Sequence, residues 1–207
     1  MSDSDRIEIQ SPPTSRSVLK EIPSLNEYDA VRCDFHRIDS SITHTRAHPA
    51  ALRPTIHWKL AKEAAVRMDG TYVARLMNAM VVGAEGAVIT CDGYVPVDLI
   101  HAYGRDPRTH PVFDEQNSPQ CCFLAGRSLL LGTRGGARNY FHWMFDIIPR
   151  FLLFKRSRFA LLGIDHFLLN ALGSPFQFEA LAQLDIPLDR VKLMRDGTGY
   201  SCEELIV

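Results

Sequence analysis

Four short signatures in residues 166–207 set the fold: H-F-L-L-N (166–170), P-F-Q-F-E-A-L-A-Q-L (175–184), V-K-L-M (191–194) and E-E-L-I-V (203–207). The first, third and fourth are short apolar runs that read as strands, and the second has the spacing of a helix. Upstream, C-C-F-L-A-G-R-S-L-L-L-G (121–132) reads as one strand or a tight strand pair, and residues 139–154 read as a long helix. Strand, helix, strand, helix, strand is the rhythm of a parallel sheet with right-handed crossovers, so the expected class is α/β. An α/β domain normally covers its last strand on both faces, and E-E-L-I-V is followed by no closing helix. More chain is therefore expected beyond it.

The long helix, N-Y-F-H-W-M-F-D-I-I-P-R (139–150), carries three strongly polar side chains among large apolar ones. His142, Asp146 and Arg150 are four residues apart and form one narrow stripe. Asn139 is the expected N-cap, which puts His142 in the first turn. Pro149 removes the hydrogen bond to the Phe145 carbonyl, so a kink beside Asp146 follows. Two readings of the stripe stand side by side. One is an exposed seam in which Asp146 pairs with Arg150 or His142, worth roughly 0.2 to 0.5 kcal/mol. In the other, His142 or Asp146 faces a cleft as a general base and Arg150 holds an anion or orients the carboxylate.

Between strand and helix, G-T-R-G-G-A-R (132–138) reads first as a flexible connector. Its position and its two arginines, Arg134 and Arg138, also make it the best anion-contact candidate, although it matches neither G-x-G-x-x-G nor the P-loop. Further upstream, Y-V-A-R-L, M-V-V-G and A-V-I-T-C read as short strands with turns at 83–86 and 91–94, a small antiparallel section. Residues 1–54, rich in Ser, Pro, Arg, Asp and His without periodicity, suit an extended leader that wraps over the fold or stays mobile. The expected division is a leader over 1–54 and an α/β unit over 55–207.

The chain has 207 residues, 46% of them hydrophobic, enough for a sizeable core. Its 23 basic and 24 acidic residues give a net charge of −1, so no whole-chain field attracts nucleic acid, and no nucleic-acid partner is expected. No apolar run approaches the roughly 18 to 20 residues of a membrane span, and M-S-D-S-D-R-I-E lacks the order of a signal peptide. An intracellular protein is expected.

Cys33, Cys91, Cys121, Cys122 and Cys202 show no C-x-x-C spacing and read as reduced thiols, mostly buried. The histidines give no third ligand at a useful spacing, and the one D-x-D, Asp3-Ser4-Asp5, does not follow a strand, so no metal site is expected. No G-x-S-x-G elbow supports acyl transfer.

The segment N-Y-F-H-W-M-F-D-I-I-P-R-F resembles the hallmark of glycosyltransferase family 61, built around asparagine, His-Trp, an aspartate and Pro-Arg. The order of the flanking pieces is also similar, over about residues 70–207. The resemblance implies an inverting, nucleotide-sugar-dependent transferase of polysaccharide or glycoconjugate biosynthesis. It implies a Rossmann-like N-terminal, acceptor-side domain of a GT-B architecture, with no obligatory metal and the nucleotide sugar as donor substrate. His142, Asp146 and Arg150 fall on hallmark positions, supported by Asn139, Trp143 and Pro149. Either Asp146 or His142 is the base; Asp146 is preferred because Arg150 would keep it ionised.

Members resembling this chain are about twice as long, and the second domain, which carries most donor contacts, is not matched here. Its partners would thus be a nucleotide-sugar donor, a glycan acceptor, and a C-terminal domain or partner transferase. The setting expected from the bacterial relatives is cytoplasmic, at most peripheral to the inner membrane. The alternative is a catalytically inactive stand-alone domain that binds glycan or protein.

Overall fold

The computed structural model describes residues 19–22, 24, 25, 28, 33–47, 58, 65–100, 106–113, 119–137 and 139–207. The strands are β1 (Lys20–Ile22), β2 (Cys33–Arg37), β3 (Ile42–Thr45), β4 (Ala65–Met68), β5 (Tyr72–Val82), β6 (Ala87–Ile89), β7 (Tyr94–Pro96), β8 (Gln120–Leu130), β9 (His166–Leu169), β10 (Val191–Leu193) and β11 (Thr198–Ile206). Helices α1 (Tyr140–His142) and α2 (Ile148–Arg156) are joined by a π-helical stretch, Trp143–Ile147, and α3 is Pro175–Gln183.

The expected parallel unit forms. Strands β10, β9, β8 and β11 lie side by side in that order, all parallel. Numbered along the chain this is 3-2-1-4, and the order reverses between β8 and β11. The last step departs from the expected rhythm, since residues 194–197 alone, without a helix, connect β10 to β11.

The antiparallel section is not a separate unit placed before the sheet. β5 pairs antiparallel with β11, and β2 and β6 share the far side of β5, making one seven-stranded mixed sheet. β11, the last strand, is therefore central. The expected pair Y-V-A-R-L and M-V-V-G is one 11-residue strand, β5, whose Asn78 takes a positive φ of 53°. Asparagine tolerates that region, so the strand bends without breaking. Opposite, Glu203 Oε2 accepts from the N–H of Gly126, whose φ is 79°, and the register of β8 shifts at the same level. The irregularity thus crosses all three long strands at one level, as a bulge does when it curves a sheet.

Residues 33–37 correct the expectation of a leader over 1–54: β2 is a strand of the main sheet, and Leu25 is buried in the core. The sequence C-D-F-H-R hides this because an edge strand can carry polar side chains on both faces. The helix end is tied to β2, with the Arg158 N–H donating to His36 Nδ1 and the Arg158 guanidinium paired with Asp34. The leader residues 1–18 and Asp3-Ser4-Asp5 lie outside the described residues.

Alternation along the strands divides the core. Leu129, Leu131, Phe167, Leu169 and Ile206 face the helices, packing on Trp143, Ile147, Phe151, Phe154 and Leu181. Leu130, Leu168, Cys202 and Leu205 face the other way, onto Leu25, Leu76, Val81 and Met194. Among the described residues, helices thus cover one face only.

All five cysteines are thiols, and Cys33, Cys121 and Cys202 are buried. Burial, with Asp34 adding to it, pushes the Cys33 thiol up to about 11, and burial pushes Cys202 up to about 12. Near pH 8 the native protein should therefore be alkylated at the partly exposed Cys91 and Cys122 and spared at Cys33 and Cys202 until denatured. Peptide mapping after brief iodoacetamide treatment reads this directly; equal labelling of Cys202 would contradict the packing.

Candidate functional site

Asn139 caps the helix as expected, its Oδ1 accepting from the Phe141 N–H at 2.9 Å. The kink expected from Pro149 takes the form of a π turn, closed by the Ile148 N–H on the Trp143 carbonyl. Proline cannot donate to residue i−4 and its ring crowds that carbonyl, and a wider turn removes both conflicts. The π turn begins just after His142 and contains Asp146.

His142 Nδ1 and Asp146 Oδ2 lie 2.7 Å apart, each side chain a little over a quarter exposed, at 27% and 29%. Of the two partners expected for Asp146, Arg150 and His142, it is His142 that lies in contact. With Asp146 accepting from Nδ1–H, neutral His142 keeps its lone pair on Nε2, which has no hydrogen-bond partner among the described residues. That arrangement makes Nε2 a proton acceptor whose ring orientation is set by a carboxylate.

The glycine loop is built for close approach to this pair. A β-carbon on Gly135 would sit 2.5 Å from His142 Cγ, and one on Gly136 would sit 2.5 Å from Ile147 Cδ1. The turn is held by the Gly136 N–H on the Thr133 carbonyl, by Asn170 Oδ1 accepting from the Thr133 N–H, and by the buried Gln177, whose amide donates to the Ala137 carbonyl. Three parts of the sheet's edge converge there: the end of β8, the end of β9 and the start of α3.

Gly135→Ala should therefore displace the His142 ring. A misplacement of about 1 Å can cost about 100-fold in rate, so activity should fall at least tenfold while cooperative folding persists. Gly163→Ala, where nothing lies within 4 Å, is the matched control. Equal rates for the two variants would remove the loop's role.

The remaining expected site residues are placed as follows. Arg134 is engaged by Glu85 through Nε at 3.0 Å. Glu85 also accepts from His110 Nε2 at 3.0 Å, while His110 Nδ1 accepts from the Val112 N–H. Arg138 lies outside the described residues. Trp143, expected as a substrate contact, is 1% exposed and packs edge-on to Phe176, which makes it core. Arg150 turns from Asp146 to the Gly132 carbonyl at 3.5 Å and lines a pocket with Tyr72 and Asp98. Burial pushes its pKa down, against the opposing charge of Asp146.

Sequence reasoning missed Tyr72, Asp98, Asn170 and Gln177. The only signals were polar residues next to strand or helix ends, which are common. Tyr72 donates to Asp98 Oδ2 at 2.6 Å; burial first, then Asp98, raises its pKa, so it stays a donor.

No family model matches this chain, and no curated protein or solved structure shows significant similarity to it. Among the described residues no group of three or more His, Cys, Asp or Glu side chains is placed to hold a metal ion. No helix among them is long and apolar enough to cross a membrane.

Proposed function

We propose that the chain is the acceptor-side, Rossmann-like part of an inverting, nucleotide-sugar-dependent glycosyltransferase of the family 61 kind, with His142 as general base and Asp146 as the group that orients it. The observation that carries this is the 2.7 Å His142–Asp146 contact that leaves Nε2 without a partner among the described residues, at the carboxyl side of the sheet. That side is where open α/β sheets bind ligands. The strand order 3-2-1-4 and the resemblance of residues 139–151 support the same reading.

In this mechanism the acceptor hydroxyl donates to Nε2 as its oxygen attacks the anomeric carbon. The nucleoside diphosphate leaves from the opposite face with the bonding electron pair, and the anomeric configuration inverts. His142 becomes imidazolium, stabilised by Asp146. This exchanges the roles first assigned: the carboxylate beside a ring nitrogen orients, and the outward nitrogen accepts. A donor-binding domain or partner supplies the nucleotide contacts, since transfer needs both substrates held in line. The reaction belongs in the cytoplasm, where nucleotide sugars are made.

The test is release of nucleoside diphosphate by the full gene product, supplied with a panel of nucleotide sugars and oligosaccharide acceptors. Release that requires both substrates and His142 supports the proposal. Failure across the panel, with binding of glycan intact, favours the second reading, a non-catalytic glycan- or protein-binding domain. The exposed Tyr140, Phe141, Met144 and Phe145 beside the dyad favour that second reading.

A further inference from the structure

A pocket of about 190 Å³ opens between α2, the ends of β8 and β11, and the start of β5. It sits where the order of the parallel strands reverses, the crevice in which open α/β sheets take ligands.

Arg150 is the cation in its lining. Its one hydrogen bond among the described residues is the long 3.5 Å contact to the Gly132 carbonyl, and no carboxylate among them lies within 4.0 Å. Guanidinium has five donors in a planar fork that matches an oxyanion bidentately, and most of those of the half-buried Arg150 are unused among the described residues. Asp98, the carboxylate of the lining, accepts at Oδ2 from Ser24 Oγ and Tyr72 Oη, both at 2.6 Å, and its Oδ1 has no partner among the described residues. Leu153 and Val207 add apolar wall. The space admits one small ring.

We propose that this pocket binds an acidic sugar residue, its carboxylate or phosphate on Arg150 and a ring hydroxyl donating to Asp98. The inference rests on the glycosyl-transfer reading only in naming that sugar as part of the acceptor. Arg150 lies on the same helical segment as the His142–Asp146 pair, so an acidic residue seated there would place the neighbouring part of the glycan along α1 and the π turn.

The test needs no donor: glucuronate, glucose 6-phosphate and glucose are titrated separately into the full chain and followed by NMR or calorimetry. At least one acid should bind about tenfold more tightly than glucose, and which one does so distinguishes carboxylate from phosphate. Arg150→Gln should abolish the preference with little change in melting temperature, because the half-buried side chain makes one long hydrogen bond among the described residues. Asp98→Asn should weaken acid and neutral sugar alike and leave the preference. Equal binding of acids and glucose, or no saturable binding of either acid by the folded protein, would overturn the proposal. Lost transfer with acid binding intact would instead overturn the catalytic reading and leave the pocket assigned.

Discussion

His142→Ala in the full gene product should lower the transfer rate by about 10² to 10⁴, the usual contribution of a positioned general base. At 1.36 kcal/mol per decade this is about 3 to 5 kcal/mol of transition-state stabilisation. The fold should scarcely notice. An i,i+4 pair is worth about 0.2 to 0.5 kcal/mol, and both side chains are partly exposed. At roughly 2 to 4 °C per kcal/mol for a chain of this size, the melting temperature should move by no more than about 2 °C.

The accompanying variants decide which member of the pair takes the proton. If His142 is the base and Asp146 fixes its tautomer, Asp146→Asn also slows turnover, and the double variant is no slower than His142→Ala alone, because groups acting as a unit are not additive. If Asp146 is the base, His142→Ala retains much of the rate and Asp146→Asn does not. Near-normal turnover in both single variants would end the assignment of either.

The parts of the fold visible in the sequence are those set by local periodicity. The strands at 166–169 and 191–193, the helix between them and the Asn139 cap all follow from apolar spacing and one capping side chain. Partner choice between distant strands is not encoded that way. Nothing in T-G-Y-S-C-E-E-L-I says that β11 inserts between β8 and β5, a pairing that joins residues more than 100 positions apart. The same limit applied to the site. Spacing identifies His142, Asp146 and Arg150, and Pro149 marks a kink, but neither says that the kink is a π turn, and in a regular helix side chains four apart are equivalent neighbours. The π turn breaks that equivalence, giving Asp146 to His142 and sending Arg150 to Gly132 and the pocket. Likewise Arg134 read as a free loop arginine because its partner, Glu85, lies on the distant β5–β6 turn.

Trp143 gives the second large effect, and it tests core against contact. Its ring is 1% exposed, wedged with Ile147 and Phe151 between the helix and the sheet and edge-on to Phe176 at 6.0 Å. Truncation of a buried Trp to Ala costs about 3 to 5 kcal/mol, from lost transfer energy and the cavity left behind. At the same 2 to 4 °C per kcal/mol, Trp143→Ala should melt about 10 °C lower. Trp143→Phe should be much milder. It keeps most of the aromatic volume and removes an indole Nε1–H that has no hydrogen-bond partner among the described residues, a donor whose burial itself opposes folding. Both variants should show altered turnover only in proportion to the folded fraction. A Trp143→Phe protein that melts normally yet binds acceptor many-fold more weakly would show that the indole contacts substrate after all, and would require the helix to rotate out of the packing seen here.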